Sequence, residues 1–197
     1  SEVVLNSWAE WGEESVLRFN GMFAFSIWDL KEKTLFLARD RYGIKPLYYS
    51  MCGDIFLFGS EQKAILAHPQ FKKVINKRAL VEYFTFQNIF TNQTLLENIF
   101  ILEPASIAKI KFGVHKNLQI SKYWDYNFHE PAGKILEQDY IDELDRLLRL
   151  AIKRQLVSDA ELGSYLSGGM DSGTIVSLAS EELPNIKTFT CGFDLSS

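Results

Sequence analysis

Apolar residues at Val4, Leu5, Trp8 and Ala9 recur at helical spacing through residues 2–11, and Gly12 follows as a stop signal. Residues 22–30 are then aromatic and apolar, 29–34 form a polar turn, and 35–38 resume as a strand, which predicts a hairpin. Residues 47–51 and 55–58 predict a second hairpin around Cys52-Gly53-Asp54. These four strands are apolar on both faces, so they predict a sheet covered on both sides. Residues 60–67 predict a short helix that ends before His68-Pro69. Residues 77–86 predict a longer one, with Leu80, Tyr83 and Phe84 on one side. Strand character returns at 106–112 and 118–123.

Residues 127–134 are polar and carry Pro131 and Gly133, which places a domain boundary there, between 1–130 and 131–197. Beyond it, 138–157 is the clearest helix: Ile141, Leu144, Leu148, Ala151 and Gln155 share one stripe, widened by Leu147 and Ile152. A strand at 164–166, a glycine-rich turn, a helix at 174–182 and a strand at 186–191 complete the pattern. That is a β-α-β unit, the start of a doubly wound parallel sheet, so the predicted fold class is α+β followed by α/β. One such unit cannot bury both faces of a sheet, and the sheet is expected to continue beyond Ser196-Ser197.

Composition narrows the partners. The 197 residues are 47% hydrophobic and 14% aromatic, as a packed globular chain requires. The net charge is -4 and no Lys/Arg run occurs, so neither nucleic acid nor an acidic membrane is the expected partner. No apolar stretch approaches the roughly 20 residues that span a bilayer, and Ser1-Glu2 opens without a secretory leader pattern. The two cysteines, Cys52 and Cys191, lie far apart, which points to a reducing, cytoplasmic compartment. Asn92-Gln93-Thr94 matches a glycosylation triplet that such a compartment would not use.

The run Ser167-Gly168-Gly169-Met170-Asp171-Ser172 carries the chemistry. Two glycines between a strand end and a helix start let backbone N–H groups converge on an anion, where the helix end adds partial positive charge. The hydroxyls of Ser167 and Ser172 can donate to phosphate oxygens. Asp171 would repel phosphate directly, so its expected work is to hold Mg²⁺ that bridges the phosphates. The Gly-Lys-Ser/Thr ending of a Walker loop is absent. The plainer reading is a turn whose helix is capped by Asp171 or Ser172.

Further segments are distinctive: Phe19-Asn20-Gly21-Met22-Phe23-Ala24-Phe25, the stretch 39–49 that opens Arg39-Asp40-Arg41-Tyr42-Gly43, and Ser60-Glu61-Gln62-Lys63-Ala64-Ile65. With 166–172 and Thr188-Phe189-Thr190-Cys191-Gly192-Phe193, the chain resembles the glutamine-dependent asparagine synthetases along nearly its whole length. The resemblance implies the C-terminal part of a class II glutaminase with the N-terminal-nucleophile αββα sandwich. The start of an ATP-pyrophosphatase domain is implied to follow. It implies ATP and Mg²⁺, with ATP held at Leu166, Ser167, Gly168, Gly169, Asp171, Ser172 and Cys191, and the metal at Asp171. The backbone at Leu166 and Cys191 would flank the adenosine. It implies aspartate, glutamine and ATP as small-molecule partners, and allows a homodimer. The nucleophilic cysteine and the glutamine-binding Asp are expected ahead of residue 1, which leaves no catalytic residue in these 197 and makes the chain an inactive internal fragment. Ser1 opens a helix and is not expected to replace that nucleophile.

Gly173 stands where the family often has a serine; it keeps an N–H for phosphate but lacks a hydroxyl. Arg39, Asp40 and Lys45 read either as a wall of the glutaminase site or ammonia passage, or as a structural ion pair fixing the turn at Gly43. Glu61 reads as a helix-start charge, and His68, His115 and His129 as isolated surface or loop residues. Cys191 reads as a small buried strand residue that can also flank adenosine. Two alternatives remain in view: amidation of another carboxylate (a sugar acid, a peptide or a β-lactam precursor), and a non-catalytic nucleotide-binding or assembly module.

Overall fold

The computed structural model describes residues 1–113, 117–131, 133 and 135–192; His115, Phe193 and the terminal Ser196-Ser197 lie outside them. The chain divides into two compact units, Ser1–Asn127 and Phe128–Ser197.

The first unit opens with α1 (Glu2–Trp11), N-capped by Ser1. Gly12 ends it at φ 55°, its N–H donating to the Trp8 carbonyl. A 3-10 turn at Gly12–Glu14 leads to α2 (Ser15–Arg18). Next come β1 (Ala24–Asp29), β2 (Thr34–Arg39), β3 (Tyr48–Cys52), β4 (Ile55–Gly59), α3 (Gln62–Leu66) and α4 (Lys77–Phe86). The short β5 (Phe100–Ile101), β6 (Ser106–Lys111) and β7 (Asn117–Lys122) complete the unit.

Both predicted hairpins form: Phe25 pairs with Ala38 in one, and Tyr49 with Phe58 in the other. They do not share a sheet, which corrects the expectation of four strands in one. The first hairpin joins a four-stranded antiparallel sheet, β1-β2-β6-β7, and the second a three-stranded one, β4-β3-β5. The doubly apolar run at 34–39 comes from layering. Every residue of β2 is buried. On one face, Leu35 and Leu37, with Ala108 and Ile110 of β6, meet Leu47, Tyr49 and Leu102 between the sheets. On the other, Phe36, Ala38 and Ile107 meet Val16 of α2 and the half-buried Trp8 of α1. The Trp8 ring lies 4.9 Å from Phe36. Side chains alternate across a strand, so two apolar faces need two different covers.

α4 forms over the expected residues, with Asn76 capping it through a hydrogen bond from the Ala79 N–H. Its expected apolar side packs only in part, with Leu80 half-buried. Ala79 is buried, whereas Tyr83 and Phe84 are exposed. Periodicity locates a stripe; the neighbouring elements decide which face they cover.

The second unit holds α5 (Glu137–Gln155), β8 (Gly163–Tyr165), α6 (Met170–Glu182) and β9 (Lys187–Phe189). β8 and β9 run parallel, Gly163 opposite Lys187 and Tyr165 opposite Phe189, with α6 as the crossover. Ile152 is the buried residue of α5, while Ile141, Leu144 and Leu147 of its stripe are exposed. Arg149 to Glu181 at 2.7 Å and Lys153 to Glu182 at 3.2 Å link α5 to α6.

Candidate functional site

The site is the passage from β8 into α6. At the end of β8 the Leu166 N–H donates to the Phe189 carbonyl at 2.9 Å. The Leu166 carbonyl accepts from the Thr190 hydroxyl at 2.6 Å. The two glycines then do different things. Gly168 has φ 82°, a region that side chains rarely adopt, although a Cβ there would touch nothing within 4 Å. Gly169 is the N-cap of α6 in an extended conformation, φ -79°, ψ 160°, open to any residue. Its lack of a side chain leaves the helix end without a side-chain cap. α6 begins at Met170, earlier than the expected 174, so Asp171 and Ser172 sit in its first turn rather than capping it.

Helix geometry leaves the N–H groups of Met170, Asp171 and Ser172 without carbonyl partners inside the helix. The Gly173 N–H donates to the Gly169 carbonyl at 3.0 Å, closing the first turn. This corrects the expectation that Gly173 offers its N–H to phosphate. The two serine hydroxyls are engaged within the turn. Ser167 Oγ and Ser172 Oγ lie 2.9 Å apart in a hydrogen bond. Ser172 Oγ donates to the Gly169 carbonyl and accepts from the Ser167 N–H, at 3.1 and 3.2 Å. The hydroxyls brace the turn from within.

Asp171 is exposed in the first turn of α6, where its charge complements the helix dipole. Among the described residues no group of three His, Cys, Asp or Glu side chains could hold a metal ion. Mg²⁺ normally takes one or two carboxylates and fills its other positions with water and phosphate oxygens. One exposed carboxylate beside a helix end that lacks a side-chain cap fits that donor set.

The structure thus brings Leu166, Ser167, Gly168, Gly169, Asp171 and Ser172 into one turn. Cys191 follows Thr190, which bonds Leu166, and so lies next to the turn. It is exposed and past the end of β9, which corrects its reading as a buried strand residue. Thr190 is the residue that sequence reasoning missed. The segment 188–193 marks its neighbourhood but not its role, because its partner lies 24 positions away.

In the first unit, a cavity of about 770 Å³ is lined by Ser1, Met22, Phe23, Lys45, Pro46 and Ser60, among others. The loop that supplies Lys45 is held by two buried charges. Arg39 donates from Nε to the Lys45 carbonyl at 2.8 Å, from Nη1 to Leu102 and from Nη2 to Gly43. Asp40 is 1% exposed and accepts from four backbone N–H groups: Phe23, Tyr42, Ile44 and Lys45. Among the described residues no ion pair joins Arg39 to Asp40, so the structural reading holds without the salt bridge it assumed. Burial pushes the Asp40 carboxyl up, but the four donors together hold it below the usual carboxylate value. Burial lowers the Arg39 guanidinium, and the nearby Asp40 charge opposes that.

Glu61 is the N-cap of α3 and pairs with Lys63 at 2.6 Å. His68 Nδ1 accepts from the Gln70 N–H at 3.3 Å, and His129 is exposed. Cys52 donates its thiol hydrogen to the Gln70 carbonyl. Among the described residues no helix is long and apolar enough to cross a membrane.

The family model for the glutamine amidotransferase domain matches residues 1–124, and that for asparagine synthase matches 143–197. The chain is 39% identical over 180 residues to asparagine synthetase [glutamine-hydrolyzing] 3 of Bacillus subtilis, covering 91% of this chain and 28% of that protein. It is 35% identical over 194 residues to asparagine synthetase [glutamine-hydrolyzing] 1 of the same organism, covering 98% and 30%. To the amidase chyE of Penicillium rubens it is 28% identical over 222 residues, again covering 98% and 30%. The chain therefore spans less than a third of the length of these three relatives. Among solved structures, it is similar to glutamine phosphoribosylpyrophosphate amidotransferase of B. subtilis complexed with ADP and GMP. There the TM-score is 0.36 and the identity 15%, covering 92% of this chain and 35% of that one.

Proposed function

From a chain that belongs to the glutamine amidotransferase family through residues 1–124, we propose part of a glutamine-hydrolysing asparagine synthetase. In this reading residues 1–130 belong to a class II glutaminase of N-terminal-nucleophile type, which releases ammonia from glutamine. Residues 131–197 begin an ATP-pyrophosphatase domain with a doubly wound parallel sheet. The whole protein would activate the aspartate side-chain carboxylate with ATP, forming an acyl-adenylate and pyrophosphate. Ammonia then attacks the acyl carbon, giving asparagine and AMP. The observation that carries the nucleotide reading is the helix end at Gly169: a parallel strand, a left-handed glycine and a helix without a side-chain cap, within residues similar to asparagine synthase.

The amides of Met170, Asp171 and Ser172 face the space where a polyphosphate would sit, and their dipoles suit charge that grows on the leaving pyrophosphate. Ser167 and Ser172 brace that turn, and their hydroxyls can turn to phosphate oxygens. Leu166 and Cys191 offer backbone beside it for the nucleoside. Asp171 would hold Mg²⁺, which when bound neutralises charge on the phosphates. In the first unit, Arg39 and Asp40 fix the backbone around Lys45, and the adjoining cavity would receive glutamine. The thiol nucleophile belongs to the segment ahead of residue 1 in the longer protein. Cys52 is engaged with Gln70 and is not offered for that role. This reading places the protein in the cytoplasm and leaves a homodimer open.

The test is product analysis on the full-length protein with aspartate, glutamine, ATP and Mg²⁺. Asparagine, glutamate, AMP and pyrophosphate should appear in equal amounts. Glutamate release without asparagine would move the acceptor to another carboxylate. ADP in place of AMP would sink the pyrophosphatase reading. Residues 1–197 alone should release no glutamate.

A further inference from the structure

We propose that Thr190 is a positioning residue for the phosphate-binding turn, acting through the Leu166 carbonyl. The inference rests on the nucleotide reading of that turn. In the parallel ladder, Tyr165 pairs with Phe189, so Leu166 falls opposite Thr190. The Leu166 N–H duly donates to the Phe189 carbonyl. A regular parallel ladder would next bring the Cys191 N–H to the Leu166 carbonyl. Instead the Thr190 hydroxyl occupies that carbonyl, at 2.6 Å.

The substitution has two consequences. The last ladder bond is made by a side chain, so the β9 strand can end and its backbone at Cys191 can turn outward. That matches an exposed Cys191 just past the strand. The carbonyl before Ser167 is also pinned, which sets the direction in which Ser167 and Gly168 leave the sheet. The downstream hydroxyl bonds between Ser167, Ser172 and Gly169 then fix the rest of the turn. Thr190 thus works at the root of the turn, and the serine pair at its tip. The hydroxyl is engaged at the Leu166 carbonyl; through it the hydroxyl sets where the first-turn amides point, and so acts on ATP affinity.

The experiment uses the full-length protein and compares Thr190→Val with Thr190→Ser. A single hydrogen bond of this kind corresponds to about a fivefold change in affinity. Thr190→Val should raise the KM for ATP about fivefold. The kcat should stay within about twofold and the KM for glutamine should not change, a split that general destabilisation would not produce. Thr190→Ser keeps the hydroxyl and should restore the wild-type KM for ATP. A wild-type KM in Thr190→Val overturns the inference. So does a Thr190→Ser variant as impaired as Thr190→Val, because the hydroxyl is then not the group that matters. Asp171→Ala separates this from the parent reading. If it leaves ATP use untouched, the turn is not the nucleotide site and the parent reading fails. If it abolishes ATP use while Thr190→Val is silent, only the role of Thr190 fails.

Discussion

The hydroxyl of Tyr123 donates to the backbone carbonyl of Arg39 at 2.8 Å, joining residues 84 positions apart. The bond ties the end of β7 to the end of β2, at the root of the loop that carries Lys45. Burial pushes the Tyr123 phenol up to about 12, with Arg41 opposing and Asp40 adding to the shift. Its pKa when folded is thus above its ordinary value of 10.0. The neutral phenol therefore stabilises the fold fully below pH 10.0, and that contribution is lost as pH rises towards 12. Tyr123→Phe should cost about 1 kcal/mol near neutral pH and flatten this alkaline limb. Urea unfolding followed across that range checks both; an unchanged alkaline limb would discard the role of the phenol.

Asp40 works in the opposite pH direction. Its four N–H donors hold the folded carboxyl below the ordinary value of 3.8. Its contribution is present above that pH and is lost as pH falls through the lower folded pKa. Asp40→Asn removes the charge and turns an N–H₂ donor toward backbone donors, which should cost about 3 kcal/mol. Wild type and variant should converge in acid, and equilibrium unfolding between neutral pH and acid measures this. Equal stability at neutral pH would show that the donors find other partners.

Gly43 stands inside the fork of Arg39. Its φ is 63°, and an added Cβ would lie 2.9 Å from both Arg39 Cζ and Pro104 Cγ. Gly43→Ala should therefore cost about 2–4 kcal/mol, combining backbone strain with displacement of a buried guanidinium. Gly53→Ala is the comparison, since a Cβ there meets nothing within 4 Å at a similar φ of 57°. It should lose only the conformational part, about 1 kcal/mol. Thermal or denaturant unfolding of the pair reads the difference; equal losses would remove the steric argument.

The two glycines of the turn should separate stability from ligand binding. Gly168→Ala meets no atom but must hold φ 82°, and should destabilise the turn by about 1–2 kcal/mol. Gly169→Ala is permitted by its backbone, with only Ser167 Oγ nearby at 3.4 Å. It should cost no more than about 1 kcal/mol, the preference of a helix N-cap for glycine over alanine, while weakening ATP binding, because its methyl group stands at the helix end. Calorimetric titration of ATP beside unfolding curves distinguishes them. Full ATP affinity in Gly169→Ala would remove that helix end as the phosphate contact.

Much of the architecture was legible because its signals are local. Gly12 ends α1, and the two hairpins declare themselves through turns of a few residues. What failed was assignment of covers. The run at 34–39 shows that both faces of β2 are buried, but not that Tyr49 covers one face and Val16 the other. The stripes of α4 and α5 mark helices correctly but are only partly covered: Ile152 packs and Leu80 and Leu148 are half-buried, while Phe84 and Leu144 stand exposed.

At the site, the motif at 167–172 was visible as composition, because glycine, serine and aspartate at those intervals have a chemistry of their own. Its division of labour was not. That Gly168 is bent and Gly169 extended, that Gly173 spends its N–H on the helix, and that the serines bond each other are properties of φ and of distance. Arg39 and Asp40 were visible as charges, and most of their partners lie in the loop 42–45, but Leu102 and Phe23, which tie that loop to the rest of the unit, come from distant segments.

The sequence by itself determined the longer elements, the hairpins, the β-α-β order and the residue types of the turn, since each depends on neighbours within a few positions, whereas α2 and the two-residue β5 were not foreseen. Only the tertiary structure decided which sheet a hairpin joins, which face is covered, and that Thr190 rather than a backbone amide meets Leu166. Those outcomes depend on contacts between segments far apart in the chain, and a hydrogen bond between such segments leaves no periodic trace in either.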